Sequence, residues 1–409
     1  MIEADVIILG GGMVGLTLAV ALDRHGLSSI VVDPAEPQAA QAPTYDGRAT
    51  AVSSSSWRML EAIGVGGRLE GQGNPIRAIR VSDGLAPGGL VFEPPADDTG
   101  DDPLGIMFEN RLLRGALREA ATAAPGVTLL MPATPAEVVR DGAGVRVALA
   151  EGRALRAPLL IGAEGRNSPT RELAQIPIAR WSYDHAAIVV TVTHERAHEN
   201  VAYEIFYPAG PFAILPMRAD EAGCPRSAIV WSVKAEDAPA LLDLPDRALA
   251  AEIGKRMGGF LGEVALAGPR SSYKLGFHHA ATITGLRLAL VGDAAHGIHP
   301  IAGQGLNLGF RDAAALAQVL VEGARLGLDL GDAQLLARYQ RWRSLDTFMV
   351  AAATDGLTHI YGVPGRTASA IRRFGMGVIQ RLAPLKDRLM AEARGESGEL
   401  PLLLRGLPI

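Results

Sequence analysis

Within its first 33 residues the chain passes from a short apolar run, Val6-Ile7-Ile8-Leu9, through a glycine triplet into a helix-forming stretch. It emerges at a second apolar run, Ile30-Val31-Val32, that ends on Asp33. A continuous apolar run of this length is the pattern of a strand buried on both faces. Val14 to Leu22 are helix formers and Gly26 closes the helix. Strand, helix and strand in about 30 residues predict a βαβ unit of a parallel sheet. The connecting turn, Gly10-Gly11-Gly12-Met13-Val14-Gly15, fits G-x-G-x-x-G. In such a turn Gly10 permits the tight bend, Gly12 lets a pyrophosphate approach the backbone, and Gly15 lets the helix pack on the strand. The helix that begins at Met13 and Val14 offers unpaired N–H groups and a partial positive charge to the phosphates. Asp33 follows Gly15 by 18 residues, the place from which a carboxylate binds a ribose 2′-hydroxyl. With no Arg beside it, Asp33 favours FAD or NAD over NADP. A glycine triplet alone is also ordinary turn punctuation; strand, helix and acid together select the dinucleotide reading.

Two later segments have a related form. Leu159-Leu160-Ile161 runs into Gly162-Ala163-Glu164-Gly165-Arg166-Asn167-Ser168, read either as a second cofactor-facing turn or as a plain turn before a helix capped at Ser168. Ala289-Leu290-Val291-Gly292-Asp293 then places a carboxylate at the end of a buried strand. A charge there is costly unless bonded, and a ribityl or ribose hydroxyl is a natural partner. Downstream, Gly303-Gln304-Gly305-Leu306-Asn307 opens a second helix. Its N-terminus is suited to stabilising the negative charge that a flavin ring gains on reduction.

The rest of the chain narrows the class. Its formal charge of −5, with no basic stripe, excludes a nucleic-acid partner. Cys224 is the single cysteine, so neither a disulfide nor a zinc cluster of thiolates forms, and a reducing cytoplasm is expected. His296 and His299 lack a third ligand at metal spacing, and no metal site is expected. Glu3 and Asp5 precede the first apolar run where a secretory segment carries Lys or Arg. No uninterrupted apolar span of about 20 residues follows, so no membrane-spanning helix is expected. Residues 45–71 read as helix and turn, and Arg111 to Ala124 as a helix. Ala187 to Thr193, Ala202 to Tyr207, Phe212 to Met217 and Ala228 to Val233 read as strands of an antiparallel sheet. A strand is expected over Leu286 to Val291.

Taken together, these motifs resemble the class A flavoprotein monooxygenases, and among them the ubiquinone-biosynthesis hydroxylases (the UbiH-like family). The resemblance runs nearly end to end. It includes Gly10 to Gly15, Asp46-Gly47-Arg48-Ala49-Thr50-Ala51-Val52, Glu109-Asn110-Arg111-Leu112-Leu113 and Gly162 to Arg171. It continues through Gly210-Pro211-Phe212-Ala213-Ile214-Leu215-Pro216, Val230-Trp231-Ser232, Gly292 to Asn307, and the tail around Arg372 and Pro384-Leu385-Lys386. The family carries Asp in the second motif where this chain has Glu164, one methylene longer.

The resemblance implies an α/β fold: a Rossmann-like FAD-binding domain, an inserted and mainly antiparallel substrate sheet, and a C-terminal helical segment. The expected division assigns 1–75, 102–178 and 276–345 to the FAD-binding domain, 76–101 and 179–275 to the substrate domain, and 346–409 to the helical region. By the same resemblance Arg48, Arg111 and Asp293 contact FAD, and Pro300 lies beside the isoalloxazine. Read alone, Arg48 and Arg111 are each better taken as a surface ion pair or a helix-end charge, and only the surrounding motif raises the cofactor reading. There is no second G-x-G-x-x-G, so NAD(P)H is expected as a transient co-substrate alongside O2.

The implied reaction is hydroxylation of an aromatic ring, with a prenylated quinone precursor as substrate. No residue is assigned a catalytic role. Phe206, Phe212 and Leu215, with Tyr203 and Trp231, are either pocket wall or plain sheet core. A polyprenyl substrate implies a cytoplasmic protein with peripheral contact at the inner membrane, or a ubiquinone-biosynthesis complex; Arg372, Arg373, Arg381, Lys386 and Arg388 are the basic residues near such a contact. A hydroxylase of a small soluble aromatic, and a non-catalytic FAD-binding subunit of a biosynthetic complex, are the competing readings. Glu164 is the feature that favours the last.

Overall fold

The computed structural model describes residues 1–36, 47–86, 89–93, 102–297, 304–344, 379–380 and 382–409. Val6–Leu9 forms the fully buried centre of a six-stranded sheet. Ser29–Val32 and Leu159–Gly162 flank it in parallel, Leu9 pairing with Val32 on one side and Gly162 on the other. Val127–Leu130 and Leu288–Leu290 extend the sheet in the same direction, and Thr284–Gly285 closes one edge antiparallel. Parallel strands need covering on both faces. Helix α1 (Met13–Asp23) supplies part of that cover, burying Leu16, Leu18, Val20 and Leu22.

The glycine turn is steric in origin. Gly10 has φ +109°, and a Cβ there would lie 2.3 Å from the Ala163 carbonyl oxygen. At Gly15 a Cβ would lie 2.0 Å from the Gly10 carbonyl oxygen, so only glycine lets α1 sit this close to the strand end.

A nine-stranded, mainly antiparallel sheet forms the other large layer. Its middle runs Ser271–Ala280, Ile178–His194, Arg226–Lys234, Gly210–Met217 and Val201–Tyr207, all antiparallel. Ala78–Asp83 then joins parallel to Val201–Tyr207 and carries Leu90–Phe92 at the edge. Phe212, Ile214 and Trp231 occupy one face and pack with Leu249 and Ile253 of a helix, Asp246–Met257. The expected strands fall within the observed ones, which are longer; Ile178–His194 extends well before Ala187 through a register shift between Ser182 and Ala186.

Two local expectations are corrected. Residues 45–71 are not simply helix and turn, because Ala49–Ser53 is a strand paired antiparallel with Gly105–Glu109. Only then does Ser53 cap the helix Ser54–Ala62. Alternation of small and β-branched residues at 49–53 gave no local strand signal strong enough, and pairing with a distant segment decided the outcome. The strand expected over 286–291 is the shorter Leu288–Leu290. In the C-terminal region, Ala383–Ala393 is helical and Leu402–Arg405 forms a short 3-10 turn.

Replacing Gly15 with Ala is expected to force α1 off the sheet and destabilise the protein by about 1–3 kcal/mol, as overpacking does. A denaturant midpoint unchanged from the parent would contradict this reading of the turn.

Candidate active site

Between the carboxyl ends of the parallel strands and the second sheet lies a cavity of about 780 Å³. Gly12, Met13 and Val14 form one end of it, and Pro211, Ala213 and Leu215 of the antiparallel sheet form part of the opposite wall. Three chain segments distant in sequence therefore share one space with the sheet.

The first is the glycine turn. Gly12 is the N-cap of α1 and supplies no side-chain cap, which leaves the first N–H groups of the helix to a ligand. A Cβ on Gly12 would meet nothing within 4 Å. Asp33 fixes the turn from the next strand, its Oδ2 accepting from the Gly11 N–H at 2.6 Å and its Oδ1 from the Ala35 N–H at 2.7 Å.

The second is the turn after Leu159–Gly162. Ala163, Gly165 and Arg166 line the cavity, while Glu164 turns back into its own loop. Its carboxylate accepts from the Ser168 hydroxyl at 2.6 Å, from the Thr170 N–H at 3.2 Å and from the Thr170 hydroxyl. Ser168 also caps the short helix Pro169–Leu173, accepting from the Arg171 N–H. Arg171 is 1% exposed and donates to the carbonyls of Ala294 and Arg166, both at 2.9 Å. It ties the second turn to the third.

The third segment carries Asp293, which lines the cavity half-buried. Its carbonyl accepts from His278 Nε2 at 2.8 Å. Behind it sits Asp312, 0% exposed, on the helix Gln304–Arg325. Asp312 accepts from the Gly292 N–H at 2.9 Å, His296 Nε2 at 2.6 Å and Arg343 Nε at 2.7 Å. Burial alone would raise its pKa, but His296 and Arg343 outweigh that and hold the carboxyl at about 2. Gly305 and Leu306 reach the cavity from the first turn of the same helix. Asn307 instead cross-links that turn to Ala49–Ser53, accepting from the Ser53 N–H at 3.0 Å and donating to the Ala51 carbonyl at 2.8 Å. Gln304 begins the helix, whereas Pro300 and Gly303 lie outside the described residues.

Arg48 lines the cavity, and so does Asn110. Arg111, next in sequence, donates to Glu109 at 2.7 Å, and Glu109 also receives Arg226 at 3.1 Å. On the sheet wall the residues separate by alternation. Leu215 faces the cavity, whereas Phe212 lies on the far face in edge contact with Trp231, across which Arg256 sits 4.0 Å from the ring centre. Tyr203 is on the far face too, against Phe260. Phe206 is buried but is not on the cavity wall. Sequence reading missed Asp312, Arg343 and Glu204; the last lines the cavity between strands of small residues.

An uncapped helix start with open space before Gly12, beside a half-buried carboxylate at Asp293, fits a cofactor carrying a diphosphate and hydroxyl groups. A family profile described as "FAD binding domain" matches residues 3–351. Ubiquinone hydroxylase UbiL of Rhodospirillum rubrum is 44% identical over 99% of this chain and 94% of its own length. The 3-demethoxyubiquinol 3-hydroxylase of Escherichia coli is 33% identical over 96% of this chain and 98% of its own. The chain belongs to the ubiquinone-biosynthesis hydroxylases of the class A flavoprotein monooxygenases. The fold agrees: p-nitrophenol 4-monooxygenase PnpA of Pseudomonas putida superposes with a TM-score of 0.79 at 17% identity, covering 98% of this chain and 100% of that one.

This monooxygenase is therefore an FAD enzyme that uses O2, and the competing reading of a non-catalytic subunit falls. Glu164, which favoured that reading, is spent on closing its own turn.

Two outcomes are expected. Gly12→Ala should leave the apoprotein within about 1 kcal/mol of the parent, since the added methyl meets only open space. FAD affinity should fall at least about tenfold, which is about 1.4 kcal/mol; fluorescence titration of apoprotein with FAD reads both halves. Asp312→Ala should cost about 3–5 kcal/mol by leaving Arg343 buried without its carboxylate, measured by urea unfolding. Because the Asp312 pKa is depressed, its contribution is complete above the ordinary aspartate value of about 3.8 and fades as pH falls towards about 2.

Proposed function

We propose that this monooxygenase hydroxylates the ring of a polyprenylated phenol in ubiquinone biosynthesis, drawing electrons from NAD(P)H as a transient co-substrate. The observation that carries the reading is the continuity of one cavity from the α1 N-terminus to an apolar wall of sheet residues. A flavin and an aromatic ring need to share such a space. The relatives named for ubiquinone chemistry support the substrate class.

Bound FAD supplies an electrophilic oxygen after reduction and reaction with O2. The chain does the rest. The N–H groups at Gly12, Met13 and Val14, with Gly10 and Gly15 shaping the turn, hold the pyrophosphate, and Asp33 takes the adenosine ribose. Asp293 takes a hydroxyl of the ribityl chain, and Arg48 borders the cofactor. Arg111 is held by Glu109 and is off the cavity wall, so of the two arginines Arg48 is the one that meets FAD in this proposal. The helix start at Gln304, Gly305 and Leu306, braced by Asn307, places its partial positive charge toward the ring. Leu215, Ala213 and Val230 form the apolar wall that excludes water from the reacting centre. The proposed division of the chain follows: residues 1–75, 102–178 and 276–345 hold the cofactor, and 76–101 with 179–275 hold the substrate.

Peripheral contact with the membrane suits a lipid-borne substrate. Among the described residues no helix is long and apolar enough to cross a membrane. Leu382, Leu385 and Leu389 are exposed at one-turn and two-turn spacing along and just before Ala383–Ala393, with Lys386 and Arg388 on the same segment. An apolar stripe flanked by cations is the form of an interfacial helix.

Loss of the gene is expected to abolish mature ubiquinone and to accumulate a prenylated precursor lacking one ring hydroxyl, read by mass spectrometry of quinone lipids. An unchanged quinone profile overturns the proposal. Hydroxylation coupled to NAD(P)H oxidation only with small unprenylated aromatics would overturn the substrate class alone.

A further inference from the structure

Among the described residues Glu204 is the one carboxyl on the sheet wall of the cavity. It sits mid-strand in Val201–Tyr207, where Tyr203 and Tyr207 turn to the opposite core. Its cross-strand partner is Ala213, and its partner on the parallel side is Val81. The wall around it is small and apolar: Ala187, Val189, Pro211, Leu215 and Val230. Glu204 is half-buried, and it opens into the cavity. Among the described residues no side chain donates a hydrogen bond to it. An acceptor set into an apolar wall is completed by a donor that the occupant brings.

We propose that Glu204 is a catalytic residue of the substrate site, accepting the phenolic hydrogen of the bound ring and taking its proton as oxygen is transferred. This rests on the phenol-hydroxylating function proposed above. The chemistry follows from the demand of the reaction. Attack on an electrophilic oxygen is faster the more electron density the ring carries, and removing the phenolic proton raises that density. The phenolic O–H bond breaks, its proton joins the Glu204 carboxylate, and the electron pair stays on oxygen and spreads into the ring. As the new C–O bond forms, the bond that held the transferred oxygen breaks and its electron pair leaves with the donor; the substituted carbon then loses its hydrogen as a proton, which neutralises that donor, and the ring becomes aromatic again. Glu204 then returns its proton to the first oxygen. No oxidant beyond the established one is required.

The electrostatics favour this use. Burial alone pushes the Glu204 carboxyl up to about 7, near the value at which a general base works best at neutral pH. The neighbouring strands face it with Val81 and Ala213, neither of them titratable. The charged groups on the rest of the cavity are Arg48, Arg166, Lys274 and Asp293, with the Tyr273 phenol. None of these contributes to the shift.

The test uses FAD-loaded protein, NAD(P)H and a phenol bearing a short prenyl chain, with the product followed by mass spectrometry. In the parent, kcat is expected to rise with pH through about 7 and then level, because the basic form is the active one. Glu204→Gln should lower kcat about 100-fold or more, remove that inflection, and leave FAD content and KM close to the parent. Glu204→Asp should retain part of the rate. Glu204→Gln with parental kcat and an intact inflection overturns the proposal.

A binding measurement decides the matter without turnover. Quenching of flavin fluorescence should show the parent preferring the phenol to its methyl ether at least about tenfold, and Glu204→Leu should lose that preference. A parent that does not discriminate, or a Leu variant that still does, overturns the assignment of Glu204. A parent that binds with this preference yet forms no hydroxylated product would instead defeat the proposed function.

Discussion

The site depends on the parallel registration of Val6–Leu9 with its two neighbours. Leu9 pairs with Val32 and with Gly162, and Gly162 pairs in turn with Leu290. Parallel strands end on the same side of a sheet, so the residues that follow each of them emerge together. That single alignment delivers Gly10, Asp33, Ala163 and Asp293 to one edge although they are spread over most of the chain. Within the sheet the ladders between neighbouring strands pair backbone polar groups, and beyond the last pair the chain is free to turn and present N–H groups to a ligand. A slip of one residue in any of these pairings would turn buried side chains outward and separate the motifs. The deep burial of Val6, Ile7, Ile8, Ile30, Val31, Leu160 and Ile161 is what forbids the slip.

How much of this was legible in the sequence follows from the range of the interactions involved. The glycine turn and Asp33 could be read because strand, turn, helix and strand are contiguous, and the steric need for Gly10 and Gly15 is local. The sheet strands could be read from their β-prone runs, but not which residues face the cavity. Phe212 and Leu215 have an odd separation, so they must lie on opposite faces of one strand. Alternation was available in the sequence; the absolute face was not, because it depends on where the helix Asp246–Met257 packs. Asp312 and Arg343 gave no signal at all. They stand on separate helical segments, and nothing short of the fold brings them to His296 and the Gly292 N–H. Ala49–Ser53 was missed for the same reason, its partner lying beyond residue 104. Glu164 shows the converse case. The extra methylene favoured a non-catalytic subunit, yet the longer arm is absorbed by Ser168 and Thr170.

The antiparallel sheet divides bulk between its faces. Phe212, Ile214 and Trp231 fill the far face against a helix, and the cavity face at the same strands carries Ala213, Val230 and Ser232. Large side chains stabilise the layer where they are fully enclosed, and small ones on the reverse leave the room that a ring needs. Stability and capacity are thus drawn from alternate residues of the same strands, so a substitution on one face acts on one property more than the other.

Charge is distributed by the same logic. Asp312 is a buried carboxylate with three donors, and its role is to hold a turn still: the Gly292 N–H, His296 and Arg343 all converge on it, and Arg171 fixes the adjoining carbonyl of Ala294 from the other side. Such a group is stable in its charged form and has no proton to exchange near neutral pH. Glu204 is half-buried on the cavity wall with no side-chain donor among the described residues, and its ionisation is displaced in the opposite direction. Two carboxyls at one site are driven apart by what surrounds them, one towards permanent charge and one towards exchange. The rigid one lies behind the turns at the ends of the parallel strands and the other on the opposite sheet wall, which is the arrangement the proposed proton transfer needs, with geometry fixed on one side while a proton moves on the other.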